Sequence, residues 1–401
     1  MANGRRHPLH DLRGISRLAI DATTGVTDLV QSMHDTIAGG PAVLGRPFAM
    51  PAQLFTAPVY ASIRGITRLV GAGIDAALTQ CARLVEERAP LSEQEVVLGA
   101  LNGVFGDYLF LTKNPLAIEM CLRKNCEPLV IERASLAERL PEATNKVVVF
   151  VHGSSMTERQ WSRDGHDHSV ALANDLGVTA LHLVYNSGLH ISVNGRLLGH
   201  ILEQLAREWP VPISELSLVG HSMGGLVARS ACHYAEVDGQ AWIGSLRRLV
   251  CIGSPHHGAL LEQGGNWVGV VLGVSRYSAP FARLPRIRSA GVTDLRYGNV
   301  LDEHWTGRDR FGAHGDLRRE LFLPRGVDCY FVAGTLSTQP GPALRGDGLV
   351  SVDSALGRHR SPQLTLAVPP SHEAIAYGTS HLGLLSSAQV YEALHRWFGS
   401  A

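Results

Sequence analysis

From about residue 126 onward the chain alternates short apolar, β-branched runs with helical stretches, and no other feature narrows its fold as much. The strand-like runs cover 129–131, 147–151, 180–185, 216–219, 249–252, 329–333 and 364–368. Helical patterns separate most of them, over 169–176, 197–209, 226–235 and finally 388–398. Strands covered on both faces lose the polar alternation of a half-exposed sheet, and strand–helix–strand connections favour parallel pairing. The expectation is an α/β fold, a mostly parallel sheet with helices on both faces. The connection over about 258–325 is too long for a simple crossover and is expected to be a cap inserted over the sheet's C-terminal edge.

Residues 1–125 read differently. Leu18, Val26, Leu29, Val30 and Met33, then Val70, Ile74, Leu78, Cys81 and Val85, recur at helical spacing. A Gly/Pro-rich stretch over 39–58 separates the two runs. Arg13-Gly14-Ile15-Ser16-Arg17-Leu18 is echoed by Arg64-Gly65-Ile66-Thr67-Arg68-Leu69, and two copies fall short of the three a solenoid needs. The expectation is a helical region of unknown role, 1–125, followed by an α/β domain, 126–401. Packing of the two related helices on each other or on the second domain, and contact with a lipid interface or a second copy, are both open for it.

The 401 residues carry 36 Lys+Arg against 36 Asp+Glu, with 45% hydrophobic and 18% charged residues. That composition can bury a sizeable core and lacks the excess of cations that nucleic-acid binding needs. Six cysteines with no C-x-x-C pair give neither a disulfide framework nor a zinc site, and Cys251 and Cys329 read as small buried hydrophobes. Arg5-Arg6 is followed by Asp11, Arg13, Arg17 and Asp21 rather than by an apolar signal segment. The longest low-charge stretch, 47–63, is interrupted by Pro51 and Pro58. The expectation is a cytoplasmic protein.

The chemistry centres on Gly220-His221-Ser222-Met223-Gly224, a G-x-S-x-G pattern between a strand run and a helical run. A serine on such a turn is forced into a strained conformation with its hydroxyl exposed above the sheet, and the glycines let strand and helix approach. A serine hydroxyl is a poor nucleophile until a base takes its proton, so a histidine and an orienting acid are required, in the order Ser, Asp/Glu, His. His381, in the last loop before the C-terminal helix, is the expected base, with His372 as rival. Asp347, in Arg345-Gly346-Asp347-Gly348, is the expected acid; Asp353 and Glu262 are the alternatives. The oxyanion needs two preorganised N–H donors. These are expected from Met223 and, in the loop after 147–151, from Ser154, with Gly153 allowing the turn and His152 as a support.

Together with Gly253-Ser254-Pro255-His256-His257-Gly258 and Gly346-Asp347-Gly348-Leu349-Val350, these motifs resemble the α/β-hydrolase superfamily. More closely they resemble bacterial lipases and esterases and the GPI inositol-deacylase-like (PGAP1-like) hydrolases, over roughly 128–401. The resemblance implies carboxylic-ester hydrolysis through an acyl-serine intermediate, with no organic cofactor and no catalytic metal. An acyltransferase or a thioesterase would use the same triad; a non-catalytic lipid- or partner-binding module is the third reading. In the cap, Trp267 to Val274 with Tyr277 and Phe281 either line an acyl-binding cleft, open at a lipid interface, or pack on the sheet. The expected substrate is a small-molecule or lipid ester.

Overall fold

A computed structural model describes residues 91–259, 289–310, 315–316, 318–341 and 344–399. The repeat at Arg13 and Arg64, Glu262 and the apolar cap segment lie outside the described residues. In chain order the elements are α1 (Leu91–Leu111), β1 (Cys121–Lys124), β2 (Glu127–Pro128), α2 (Arg133–Arg139) and β3 (Lys146–Val151). Then come α3 (His168–Leu176), β4 (Thr179–Val184), α4 (Ile191–Glu208), β5 (Glu215–His221), α5 (Met223–Asp238) and β6 (Leu246–Ile252). The remainder are α6 (Ala290–Asp294), β7 (Asp328–Thr335), α7 (Val352–Ala355), β8 (Glu373–Tyr377) and α8 (Ala388–Gly399).

The eight strands form one sheet in the order β2-β1-β4-β3-β5-β6-β7-β8. From β4 to β8 all pairs are parallel, and β1 joins β4 and β2 antiparallel. This is the expected α/β-hydrolase architecture. Successive residues of a strand face opposite sides, and both sides are covered. Val147, Val149 and Val151 pack into one core with α1, α4 and α5, while Val148 and Phe150 pack into another with α3 and α8. Removing such a side chain from water contributes roughly 1.5–3 kcal/mol, which is why β3 reads as an unbroken apolar run. Helix ends follow from local chemistry: Asp167 caps α3 by accepting from Ser169 and Val170 N–H, and Gly177 closes it in the left-handed region.

The expected runs at 147–151, 180–185, 216–219, 249–252 and 329–333 fall in β3 to β7. Two runs differ. The sheet's last strand is Glu373–Tyr377, not 364–368, whose path ends at Pro369 and Pro370. Proline has no N–H to give a ladder, so pairing resumes only beyond the pair. Residues 129–131 follow a hairpin instead of forming a strand, although Leu129 N–H still donates to Leu122 O at 2.9 Å.

That hairpin straddles residue 125, where the domain edge was expected, so the sheet takes in chain from before it. Helix α1 also enters the core through Val97, Ala100, Leu101 and Val104. Gly99 and Gly103 face the loop after β3: a Cβ on Gly103 would lie 1.9 Å from Ser155 Oγ and 2.7 Å from Ser155 Cα. Buried Asn102 accepts from Ile118 N–H at 2.9 Å and donates to Leu116 O at 2.8 Å, fixing the helix to the chain that returns to β1. Arg123 on β1 reaches Glu95 on α1 at 2.9 Å and Glu158 at 2.6 Å. Of the expected cap, 258–325, the described parts include α6, whose buried Asp294 Oδ2 accepts from Ile191 N–H and meets His190 Nδ1, both at 2.9 Å. No helix among the described residues is long and apolar enough to cross a membrane.

Candidate active site

Ser222 stands between the end of β5 and the start of α5 with φ 54° and ψ −122°, a conformation an L side chain adopts only under constraint. The constraint is close packing around the turn. A Cβ on Gly220 would lie 2.3 Å from Gly225 N, and one on Gly224 would lie 2.2 Å from Val151 O. Any side chain at either place would push helix from strand. Ser222 N–H donates to Ile252 O at 2.8 Å, setting the serine beside the end of β6. Its two neighbours, His221 and Met223, are buried, and Ser222 itself keeps partial contact with solvent.

Next to β6, Asp347 and His381 meet. Asp347 Oδ2 lies 2.7 Å from His381 Nδ1, and His381 N–H donates to Asp347 O at 3.0 Å. Asp347 Oδ1 accepts from Leu349 N–H at 2.9 Å and Val350 N–H at 2.8 Å, so both oxygens of this buried carboxylate are satisfied. An ionised carboxylate only accepts, which places the hydrogen on His381 Nδ1 and leaves Nε2 bare, as a general base requires. Glycines make the room. A Cβ on Gly334 would approach Asp347 Cβ to 2.9 Å, and one on Gly253 would lie 3.4 Å from both Asp347 Oδ2 and His381 Cε1. The pair therefore sits over Gly253, the residue after Ile252 that receives the Ser222 N–H. Among the described residues no hydrogen bond links Ser222 Oγ to His381 Nε2; in unliganded enzymes such contacts are often long and tighten around substrate.

The loop after β3 borders the serine from the other side. A Cβ on Gly153 would lie 3.2 Å from Ser222 Cβ. Ser154 follows, and Ser155 is held at φ 59° with its N–H on Ser187 Oγ at 3.0 Å. Among the described residues neither Ser154 N–H nor Met223 N–H has a backbone acceptor. His152 supports this loop: its ring stacks on Tyr185 at 4.3 Å, and Tyr185 OH donates to His152 O at 2.8 Å. Complete burial lowers the His152 pKa to about 4 and keeps the ring neutral.

The alternatives lie elsewhere. His372 faces Cys329 O at 3.1 Å and lies tilted against the Tyr330 ring, at the start of β7 and the opposite edge of the sheet. Asp353 is exposed on α7, 3.9 Å from Arg358. His256 and His257 brace the loop after β6, through Arg229 Nη1 at 3.1 Å and Gly357 O at 2.9 Å. A cavity of about 1000 Å³ on the β1–β4 side, bordered by Lys124, Glu158, Asp167 and His182 among others, contains none of Ser222, Asp347 and His381. Among the described residues no three His, Cys, Asp or Glu side chains cluster as a metal site. Sequence reasoning passed over His221, which touches the His381 loop; its place inside G-x-S-x-G marks its nearness to the serine and not this contact.

Residues 142–311 match the PGAP1-like alpha/beta domain family. The structure is similar to the mature lipase BlEst2 of Bacillus licheniformis, at 17% identity and TM-score 0.41 over 63% of this chain and 91% of that one. It is similar to EstA from Clostridium botulinum at 12% identity and TM-score 0.38, covering 64% of this chain and 87% of that one. YbtT, a type II thioesterase from a yersiniabactin NRPS/PKS pathway, is similar at 16% identity and TM-score 0.38, covering 64% and 94%. No curated protein matches the chain.

Proposed function

Starting from an α/β-hydrolase fold with a PGAP1-like alpha/beta domain over 142–311, we propose that the chain is a serine hydrolase of carboxylic esters. Ser222 is the nucleophile, His381 the general base and acid, and Asp347 the orienting acid. The observation that carries this reading is the Asp347–His381 pair, 2.7 Å apart, set over Gly253 beside the strained Ser222 turn. The three lie 34 to 159 positions apart in sequence, and each follows the C-terminal end of a strand: Ser222 after β5, Asp347 after β7 and His381 after β8.

His381 Nε2 takes the Ser222 proton as Oγ attacks the ester carbonyl carbon. The carbonyl oxygen becomes an oxyanion facing Met223 and Ser154 N–H, donors worth roughly 2.7–4 kcal/mol each in such sites. His381 then gives its proton to the departing alkoxide, releasing the alcohol and leaving an acyl-serine. Water, deprotonated by the same Nε2, attacks that ester; the second tetrahedral species collapses to the carboxylic acid and free Ser222. Throughout, Asp347 holds the imidazole in the Nδ1–H tautomer and stabilises its charged form.

Zero net charge fits a neutral ester, and the substrate class we favour is a lipid or short- to medium-chain acyl ester. Ser222→Ala is expected to abolish both turnover of p-nitrophenyl esters and labelling by a fluorophosphonate, with circular dichroism unchanged. Labelling that persists in that variant overturns the nucleophile. A series from acetate to palmitate on wild-type protein then sets the acyl length, and negligible turnover along the whole series beside intact labelling points to acyl transfer instead.

A further inference from the structure

His221 is fully buried at the end of β5, and the chemistry above does not use it. Its Nε2 lies 3.0 Å from the backbone carbonyl of His381. A carbonyl only accepts, so Nε2 carries the hydrogen and Nδ1 is bare. Burial, and then the neighbouring His381, keep the ring's pKa well below 6.5, so it remains uncharged. Nδ1 is buried without a hydrogen-bond partner, and a Cβ on Gly153 would lie 3.2 Å from it. The ring stands 4.8 Å from that of His381 and edge-on to Trp161 at 6.2 Å. One imidazole thus spans the nucleophile turn, the loop after β3 and the loop of the base.

The His381 peptide is gripped at both ends, N–H by Asp347 O at 3.0 Å and C=O by His221 Nε2 at 3.0 Å. With Nδ1 on Asp347, the polar atom left to face substrate is Nε2. A residue covalently next to Ser222 therefore holds one of the two gripped ends of the base's backbone. The serine turn is thereby linked to the base through one peptide link and one hydrogen bond, while Asp347 holds the same histidine at its N–H and Nδ1. An orphan buried nitrogen is an unfavourable feature that an apolar residue of similar size would avoid.

We infer that His221 is a positioning residue that sets the height of His381 relative to Ser222 by donating to the His381 carbonyl. The inference rests on the serine-hydrolase reading. His221→Phe keeps an aromatic ring, somewhat larger than imidazole, and removes the donor; His221→Gln keeps a donor at about the Nε2 position. In p-nitrophenyl ester turnover the Phe variant is expected to lose roughly 10- to 100-fold in kcat with KM changed less than about threefold, because a misplaced base affects the transition state more than ground-state binding. The rate of fluorophosphonate labelling is expected to fall in parallel. The Gln variant is expected to recover at least tenfold of the loss. Should the Phe variant be insoluble, His221→Asn serves in its place, since its amide ends near the Nδ1 position and cannot reach the His381 carbonyl. Wild-type kcat in the variant lacking the donor, or a Gln variant as slow as it, overturns the positioning role while leaving the triad standing. A wild-type protein that neither turns over esters nor takes the label overturns the triad and this role with it.

Discussion

At the scale of single residues, the Asp347 carboxylate shows how its partners fix one group of the candidate site. Its two oxygens are divided: Oδ1 is consumed by Leu349 and Val350 N–H, and Oδ2 is left for His381 alone. An amide in its place could present either an oxygen or an NH2 to the ring. The NH2 would favour the wrong tautomer, with Nδ1 bare and the hydrogen on Nε2. Asp347→Asn is expected to lower kcat by about 10³–10⁴-fold with little change in fold. A stopped assay of ester hydrolysis beside a urea melt checks both halves, and a loss below tenfold would remove Asp347 from the mechanism. Sequence reasoning reached Asp347 and His381 because flanking glycines and the last-loop position are local marks. It could not reach His221 in the same way: the pattern names the serine, and the role of the residue before it depends on a loop 160 positions away.

Elements tell a different story, since α1 was read only as part of a helical region of unknown role. The helix brings Gly99, Gly103 and Gly106 against the loop after β3 and against Asn186, with spaces too small for any side chain. In an isolated helix, Gly to Ala is stabilising by roughly 0.5–1 kcal/mol. At Gly103 the new methyl would meet Ser155 Cα at 2.7 Å, and overpacking of this kind costs about 1–3 kcal/mol. The second effect is the larger, so Gly103→Ala is expected to lower the urea midpoint, and to slow ester turnover because Ser154 adjoins the displaced residue. A raised midpoint would mean that α1 can draw back from the loop at no cost. Strand β8 carries a related lesson. Its five residues, Glu373–Tyr377, are too few and too mixed for a periodic signal, whereas the apolar run at 364–368 looked stronger and lies outside the sheet.

Across the whole molecule, the notable electrostatic feature is a set of histidines kept neutral inside. Burial lowers His152, His168, His182, His257 and His304 to about 4, against an ordinary value near 6.5. The sign follows from proton counts. Between pH 6.5 and 4 the unfolded chain binds protons at these sites that the folded chain refuses, so acid favours unfolding. Their contribution is complete above the unfolded value, is lost as pH falls through this window, and levels off below 4. Each such site adds a slope of up to about 1.4 kcal/mol per pH unit. The urea midpoint is expected to fall steeply from pH 6.5 to 4, and His152→Phe, which removes one such site, to fall less steeply. An unchanged slope in that variant would show that His152 protonates in the folded protein as readily as in the unfolded chain.

Read without its structure, the chain already determined its sheet type and its central strands, and its motifs proposed a candidate triad. Continuous apolar runs and a strand–glycine–serine–helix turn are encoded by neighbours a few positions apart. Only the tertiary structure decided that α1 and β1 of the β1–β2 hairpin pack into the sheet's own core, that 373–377 supplies the last strand, and that His221 holds the His381 carbonyl. Those outcomes depend on surfaces meeting across tens to hundreds of residues. Shape complementarity at that range, such as a contact between Gly103 and Ser155 too close to admit a methyl, leaves no trace in local periodicity.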